Sequence, residues 1–206
     1  MAHIGKGLGG LVLAGVMTIG LAAGAAAQVQ PPIRGDITKV QGDEVTIKSP
    51  DGKDYQLTLA PDVRVQAVVP MKVEDIKPGD FLSITAEPVG GDKHHLKGLG
   101  IGIFPPGNKP NPGQRPWNKT ATSLMTNADV TASVVKAGTG ELTVSAKGET
   151  YKLDMPPGTP VTTNKPGSKD LIKVGASAFV GGPMMKDGKL IAPTMNIGTQ
   201  GARPPQ

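Results

Sequence analysis

Apolar and polar residues alternate in short runs along most of this chain, and nowhere do apolar residues recur at the spacing of a helix face. Tyr55, Leu57 and Leu59 alternate with Gln56 and Thr58, and Val63, Val65 and Ala67 continue the alternation. That pattern predicts a strand burying its odd-numbered side chains. Ahead of it, Arg34 to Val40 predicts a first strand, Gly42-Asp43 a turn, and Val45-Thr46-Ile47 the return strand. Asp51-Gly52 is a hairpin signal, because tight hairpin turns need residues that tolerate positive φ. Val73 to Ile76 predicts a single helical turn, stopped by Pro78-Gly79. Phe81 to Ala86 and Leu96 to Phe104 read as two more strands around a Gly90-Gly91-Asp92 turn.

The series then returns. Gly148 precedes Tyr151-Lys152-Leu153-Asp154-Met155 as Gly52 precedes Tyr55-Gln56-Leu57-Thr58-Leu59. Lys169 to Gly175 repeats Val73 to Gly79, and both Gly52 to Gly79 and Gly148 to Gly175 span 27 residues. Val130, Val134 and Leu142-Thr143-Val144 fill the opening of the second copy. Ala178-Phe179-Val180 matches the Phe81 strand, and Asp187-Gly188 turns into a last strand from Leu190 to Ile197. The expected fold class is all-β. It comprises two tandem small OB-like β-barrels of five to six strands each, at residues 28–104 and 128–198, where closure would remove exposed strand edges. Residues 28–32 are expected to be loose, residues 105–127 to form a Pro-rich linker, and residues 199–206 a disordered tail.

Residues 1–27 carry the pattern of a secretory signal. Lys6 supplies the positive region, Leu8 to Gly24 is apolar and uncharged, and Ala25-Ala26-Ala27 fits the cleavage pattern, leaving Gln28 first. The alternative is a retained anchor, since about 20 apolar residues span a bilayer. Export to the periplasm or the cell exterior is expected. Composition narrows the chemistry further. The chain has no cysteine, which excludes disulfides, thiolate metal sites and a Cys nucleophile. Aromatics are only 3%, so cores must be built from Val, Ile, Leu and Met. The formal charge of +5 falls by one when Lys6 leaves, an excess too thin for nucleic acid but suited to loose contact with anionic surfaces.

Three places carry candidate chemistry. Arg115-Pro116-Trp117 holds the only tryptophan, and Arg115 with Trp117 reads either as a stacking platform for a sugar or base or as a buried clasp between the modules. His94-His95 offers imidazoles and Met184-Met185 thioethers, a set that suits copper or nickel. Against a metal, adjacent strand residues point to opposite faces. Methionine in a chain this poor in aromatics also serves as core filler, as expected for Met71, Met125, Met155 and Met195. Gly98 to Gly102 lacks the spacing of a nucleotide loop, and no catalytic motif is present.

These residues resemble a widespread bacterial exported domain of unknown function, similar to small OB-like barrels. The resemblance rests on the β pair, the D/K-G turn, the aromatic-led strand, the L/I-x-x-G turn and the closing D-G-x-L-x-A strand. Ile103-Phe104-Pro105, Arg115-Pro116-Trp117 and Met125-Thr126-Asn127-Ala128 further resemble elements of two-copy alphaproteobacterial exported proteins. The resemblance implies a fold and a compartment. The absence of a catalytic motif leads us to expect a non-enzymatic periplasmic binding or scaffolding protein without a cofactor; its partner is unknown, with another envelope protein or a polysaccharide as the candidates. The alternative is a periplasmic metal-handling accessory using His94, His95 and the methionines.

Overall fold

The computed structural model describes residues 28–136 and 139–204. The expected signal segment, residues 1–27, lies outside the described residues. Within them the chain is all-β and has no α-helix. Fourteen strands belong to one hydrogen-bonded sheet. They are β1 (Gln28–Val29), β2 (Ile33–Gln41), β3 (Glu44–Lys48), β4 (Asp54–Met71), β5 (Phe81–Val89), β6 (Asp92–Ile103) and β7 (Gly113–Pro116). The second half adds β8 (Leu124–Lys136), β9 (Thr139–Ala146), β10 (Glu149–Met155), β11 (Val161–Pro166), β12 (Ser177–Val180), β13 (Met184–Lys186) and β14 (Lys189–Gly198).

The pairings run in two circles. In the first, β2 pairs β3, β3 pairs β4, β4 lies parallel to β14, β14 pairs β12, and β12 returns to β2. In the second, β8 pairs β9, β9 pairs β10, β10 lies parallel to β6, β6 pairs β5, and β5 returns to β8. The second circle is continuous in sequence, from β5 to β10, and is called here the contiguous ring. The first takes its strands from both ends of the chain and is called the split ring. β11 joins them, pairing antiparallel with β4 and parallel with β6.

The two sequence copies therefore do not form one sheet each. Every ring takes a three-strand meander from one copy and a strand pair from the other. Burial follows the same exchange. One apolar cluster combines Leu82, Ile84, Leu96 and Ile101 with Leu142, Val144, Tyr151 and Leu153. The other combines Ile37, Val45, Ile47 and Leu57 with Ala178, Val180, Met195 and Ile197. The physical cause is visible in β4. β4 continues as one strand through 18 residues, although its alternation is interrupted at Ala60 to Asp62, and at about 3.3 Å per residue it is roughly 60 Å long. A strand of that length leaves its own ring and delivers β5 to the other one.

The turns expected to match do so. Gly52 and Gly148 have φ of +85° and +82°, and Gly79 and Gly175 have φ of +94° and +85°. These are conformations that glycine adopts without a steric penalty. Short 3-10 turns at Val73–Asp75 and Lys169–Leu171 precede the second pair. Met125, Met155 and Met195 are buried, as core filler should be.

Three expectations are corrected. Residues 28–32 are not all loose: Gln28 and Val29 pair with Met185 and Met184, and Gln30 N–H donates to the carbonyl of Pro183 at 2.7 Å. The Pro-rich segment 105–127 does contain a strand. β7 pairs with β8, and Pro116 is tolerated because its missing N–H falls at the strand's end. The tail folds back: Thr199 N–H donates to Val68, Ala202 N–H to Thr199, and Arg203 reaches Asp36 at 2.9 Å.

Candidate functional site at the junction of the rings

The connection from β7 to β8 is where chemistry-bearing residues gather. It is short and folded on itself. Trp117 N–H donates to the carbonyl of Ser123 at 2.9 Å. Ser123 Oγ accepts the N–H groups of Lys119 and Thr120 and lies 3.0 Å from the carbonyl of Trp117. Ser123 is buried, so one hydroxyl organises the loop from inside.

This loop crosses from the contiguous ring to the split ring. The Trp117 ring lies 6.4 Å from that of Phe179 on β12, tilted by 39°. The Arg34 guanidinium, on β2, stands 5.9 Å from the Phe179 ring, and that of Arg115 stands 5.8 Å from the Trp117 ring. The result is a ladder of cation, indole, phenyl and cation across the junction, a geometry that the negative faces of both rings favour. Arg34 also donates to the carbonyl of Asn118 at 2.9 Å and to its Oδ1 at 2.8 Å. Burial lowers the pKa of both Arg34 and Arg115 from its ordinary value. Trp117 is half-buried, and its Nε1 is buried without a hydrogen-bond partner.

Beside the ladder opens a cleft of about 460 Å³, lined by Arg34, Ser49, Asp51, Tyr55, Asn118 and Lys119, among others. Lys119 is the unusual member. Crowding by neighbouring groups, and then the charges of Arg34 and Arg203, hold its pKa below the lysine value. Solvent still reaches the side chain. Among the described ion pairs none involves Lys119. Arg203 is paired with Asp36, whose Oδ1 is buried without a partner. Three cations thus converge where Asp36 and Asp51 are the nearby acids.

The structure brings Arg115 and Trp117 together but turns the indole towards Phe179, the clasp arrangement. It does not gather the four residues named for a metal. On β6, His94 stacks on Tyr151 with ring centroids 5.3 Å apart, while His95 Nε2 lies 2.6 Å from Asp154 Oδ2. Met184 and Met185 lie on β13, which pairs with β1 and β14 rather than with any partner of β6. No group of three or more His, Cys, Asp or Glu residues able to hold a metal occurs among the described residues. Sequence reasoning missed Arg34, Phe179, Lys119 and Arg203. Only the Arg-Pro-Trp element, which Lys119 closely follows, pointed to this junction, since Arg34, Phe179 and Arg203 come from distant parts of the chain.

Comparison with family models, with curated proteins and with solved structures gives no match to this chain.

Proposed function

We propose that this chain is an exported, non-enzymatic binding protein of the bacterial envelope, built of two OB-like barrels, and that its ligand is an acidic polysaccharide held at the junction cleft. The barrel assignment is supported by strand order. Counted from its meander, each ring has the same cyclic order: the third strand of the meander runs parallel to the second strand of the pair, whose first strand returns to the start of the meander, although in the contiguous ring the pair β5 and β6 precedes the meander in sequence. That is the Greek-key order of a small five-stranded barrel. The periplasmic or extracellular location is supported by the Lys6, Leu8–Gly24 and Ala25–Ala27 pattern.

One observation carries the ligand class: Lys119 lines the cleft together with Arg34 and makes no ion pair among the described residues, while burial, and then the charges of Arg34 and Arg203, lower its pKa. A carboxylate or phosphate from a ligand would pair with the Lys119 ammonium and offset the neighbouring positive charge. A sugar ring beside the anion would meet Tyr55 in the same cleft. The excess of basic over acidic residues, 22 against 17, adds a weak long-range pull in the same direction.

The test is titration of the mature chain with oligogalacturonate and, separately, with neutral dextran oligomers of equal length. Calorimetry and the emission of Trp117 give two readouts. Binding of the acidic oligomer only, weakened by added salt and lost in Lys119→Ala, is the expected result. Equal binding of both oligomers, or binding that Lys119→Ala leaves intact, would overturn the assignment of the cleft.

A further inference from the structure

The pairing of β4 with β11 has an unusual register. The two copies are numbered 96 apart at both matched glycines, so the counterpart of Val68 is Asn164. Val68 pairs with Asn164. On either side, Gln66 faces Pro166 and Pro70 faces Thr162, and these two pairs are each other's counterparts. The strand is paired antiparallel with its own second copy, about a two-fold axis at Val68 and Asn164.

The rest of the molecule obeys the same axis. Gly175 N–H donates to the carbonyl of Ile37 at 2.8 Å, and Gly79 N–H to that of Val130 at 2.9 Å. In return, Ile37 N–H donates to Ala176 and Val130 N–H to Asp80. Ile37 and Val130 each stand next to a one-residue bulge, at Thr38 and Thr131. The hydroxyls of those two threonines approach the carbonyls of Thr46 and Thr143. Reciprocal contacts of this kind, residue i of one unit on residue j of the other and the reverse, define an isologous two-fold interface.

We infer that this chain is a covalently joined pair of one strand-exchanging module, and that the partner each module is shaped to bind is another copy of itself. Residues 105–112 act as a tether and contribute no strand to either ring. In this arrangement neither copy closes a ring by itself. Cut before residue 105, the first copy keeps a meander and a hairpin. Each would expose the apolar residues it contributes: seven of the seventeen in one cluster and seven of the thirteen in the other. Those residues drive association in place of solitary folding. The inference stands apart from the ligand reading and survives if the cleft binds nothing.

The test keeps the full mature chain. Gly107, exposed in the tether, is replaced by the recognition sequence of a site-specific protease. A second version carries the sequence between Asn108 and Lys109. Both are checked for unchanged circular dichroism before cutting. After cutting, the two pieces should co-elute at the mass of the intact chain. Their melting midpoint should fall by a few degrees on tenfold dilution, because folding has become bimolecular. Separated in denaturant, the pieces should recover the native spectrum when mixed, and neither should recover it as a monomer. Pieces that part in native buffer, a midpoint indifferent to dilution, or either piece refolding alone as a monomer would overturn the inference.

Discussion

The contiguous ring and the split ring carry the same cyclic strand order but stand on different footings. The contiguous ring is drawn from one unbroken stretch of chain, and its apolar cluster lies wholly within residues 73–161. Its seventeen buried residues include Tyr151, Met155 and seven leucines or isoleucines from Leu82 to Leu153, together with Ile76. The split ring has thirteen, from Ile33 to Ile197, and its two parts meet only after the chain has passed through the other ring. Ring closure in sequence is a local event, while the split ring requires a loop of more than 100 residues to be closed first. Loop closure grows slowly costlier with length. The difference teaches that equal topology does not mean equal autonomy: the contiguous ring serves as the bracket that holds the ends of the split ring in reach.

The largest effect that would break this comparison is excision. A fragment of residues 72–166 should show a cooperative thermal transition and dispersed amide resonances. A fragment of residues 28–104, though it covers one full sequence copy, should show neither. If the second fragment folds as a monomer and the first does not, the bracket is assigned to the wrong ring.

Core truncation gives the next effect. Leu153 and Ile47 are both fully buried, one in each ring. Each truncation to alanine should cost about 3 kcal/mol, the middle of the range for buried aliphatic residues. The distribution should differ. Leu153→Ala should lower hydrogen-exchange protection in both rings, and Ile47→Ala in the split ring alone. Loss confined to the contiguous ring in Leu153→Ala would uncouple the two.

Trp117 sharpens the comparison at the junction. Because the indole is half-buried, Trp117→Ala should cost about 2 kcal/mol, below the range for fully buried aromatics. Phe179→Leu should move the emission of the single tryptophan towards that of exposed indole. An emission maximum unchanged in Phe179→Leu would remove the ladder as the contact between rings.

The smallest effect compares two tyrosines in matching positions. Tyr55 pairs with Ile47 under the Lys53 ammonium, whereas Tyr151 is buried beside His94 and donates to Glu149. Burial, then the Glu149 hydrogen bond and charge, push the Tyr151 phenol up to about 12. A raised acid favours the protonated folded state. That contribution is whole below the ordinary tyrosine value near 10 and is lost as pH rises from there towards 12. The melting midpoint should therefore fall across that window less steeply in Tyr151→Phe. Absorbance at 295 nm should show the variant missing a titration step near 12.

Much of the architecture was legible along the chain. Alternation in Tyr55–Leu59 and Tyr151–Met155, the Asp51-Gly52 turn, and the repeated glycines are local facts, and local sterics decide them. β7 was not legible, because Pro112 and Pro116 argue against a strand until β8 is present to pair with the residues between them. The cleft was legible only at Arg115 and Trp117. Arg34 and Arg203 lie 169 residues apart, and no spacing rule connects them.

What the sequence by itself determined was the repeat: where strands start and turn, which side chains face inward, and that the same unit occurs twice. What only the tertiary structure decided was which meander takes which strand pair. The two copies carry the same alternation and the same turns, so β5 matches the opening strand of either copy, and so does β12. Local pattern is degenerate between the two closures. The choice falls to the unbroken length of β4 and to its self-complementary pairing with β11 about Val68 and Asn164, which direct each strand pair across the axis into the other copy's ring.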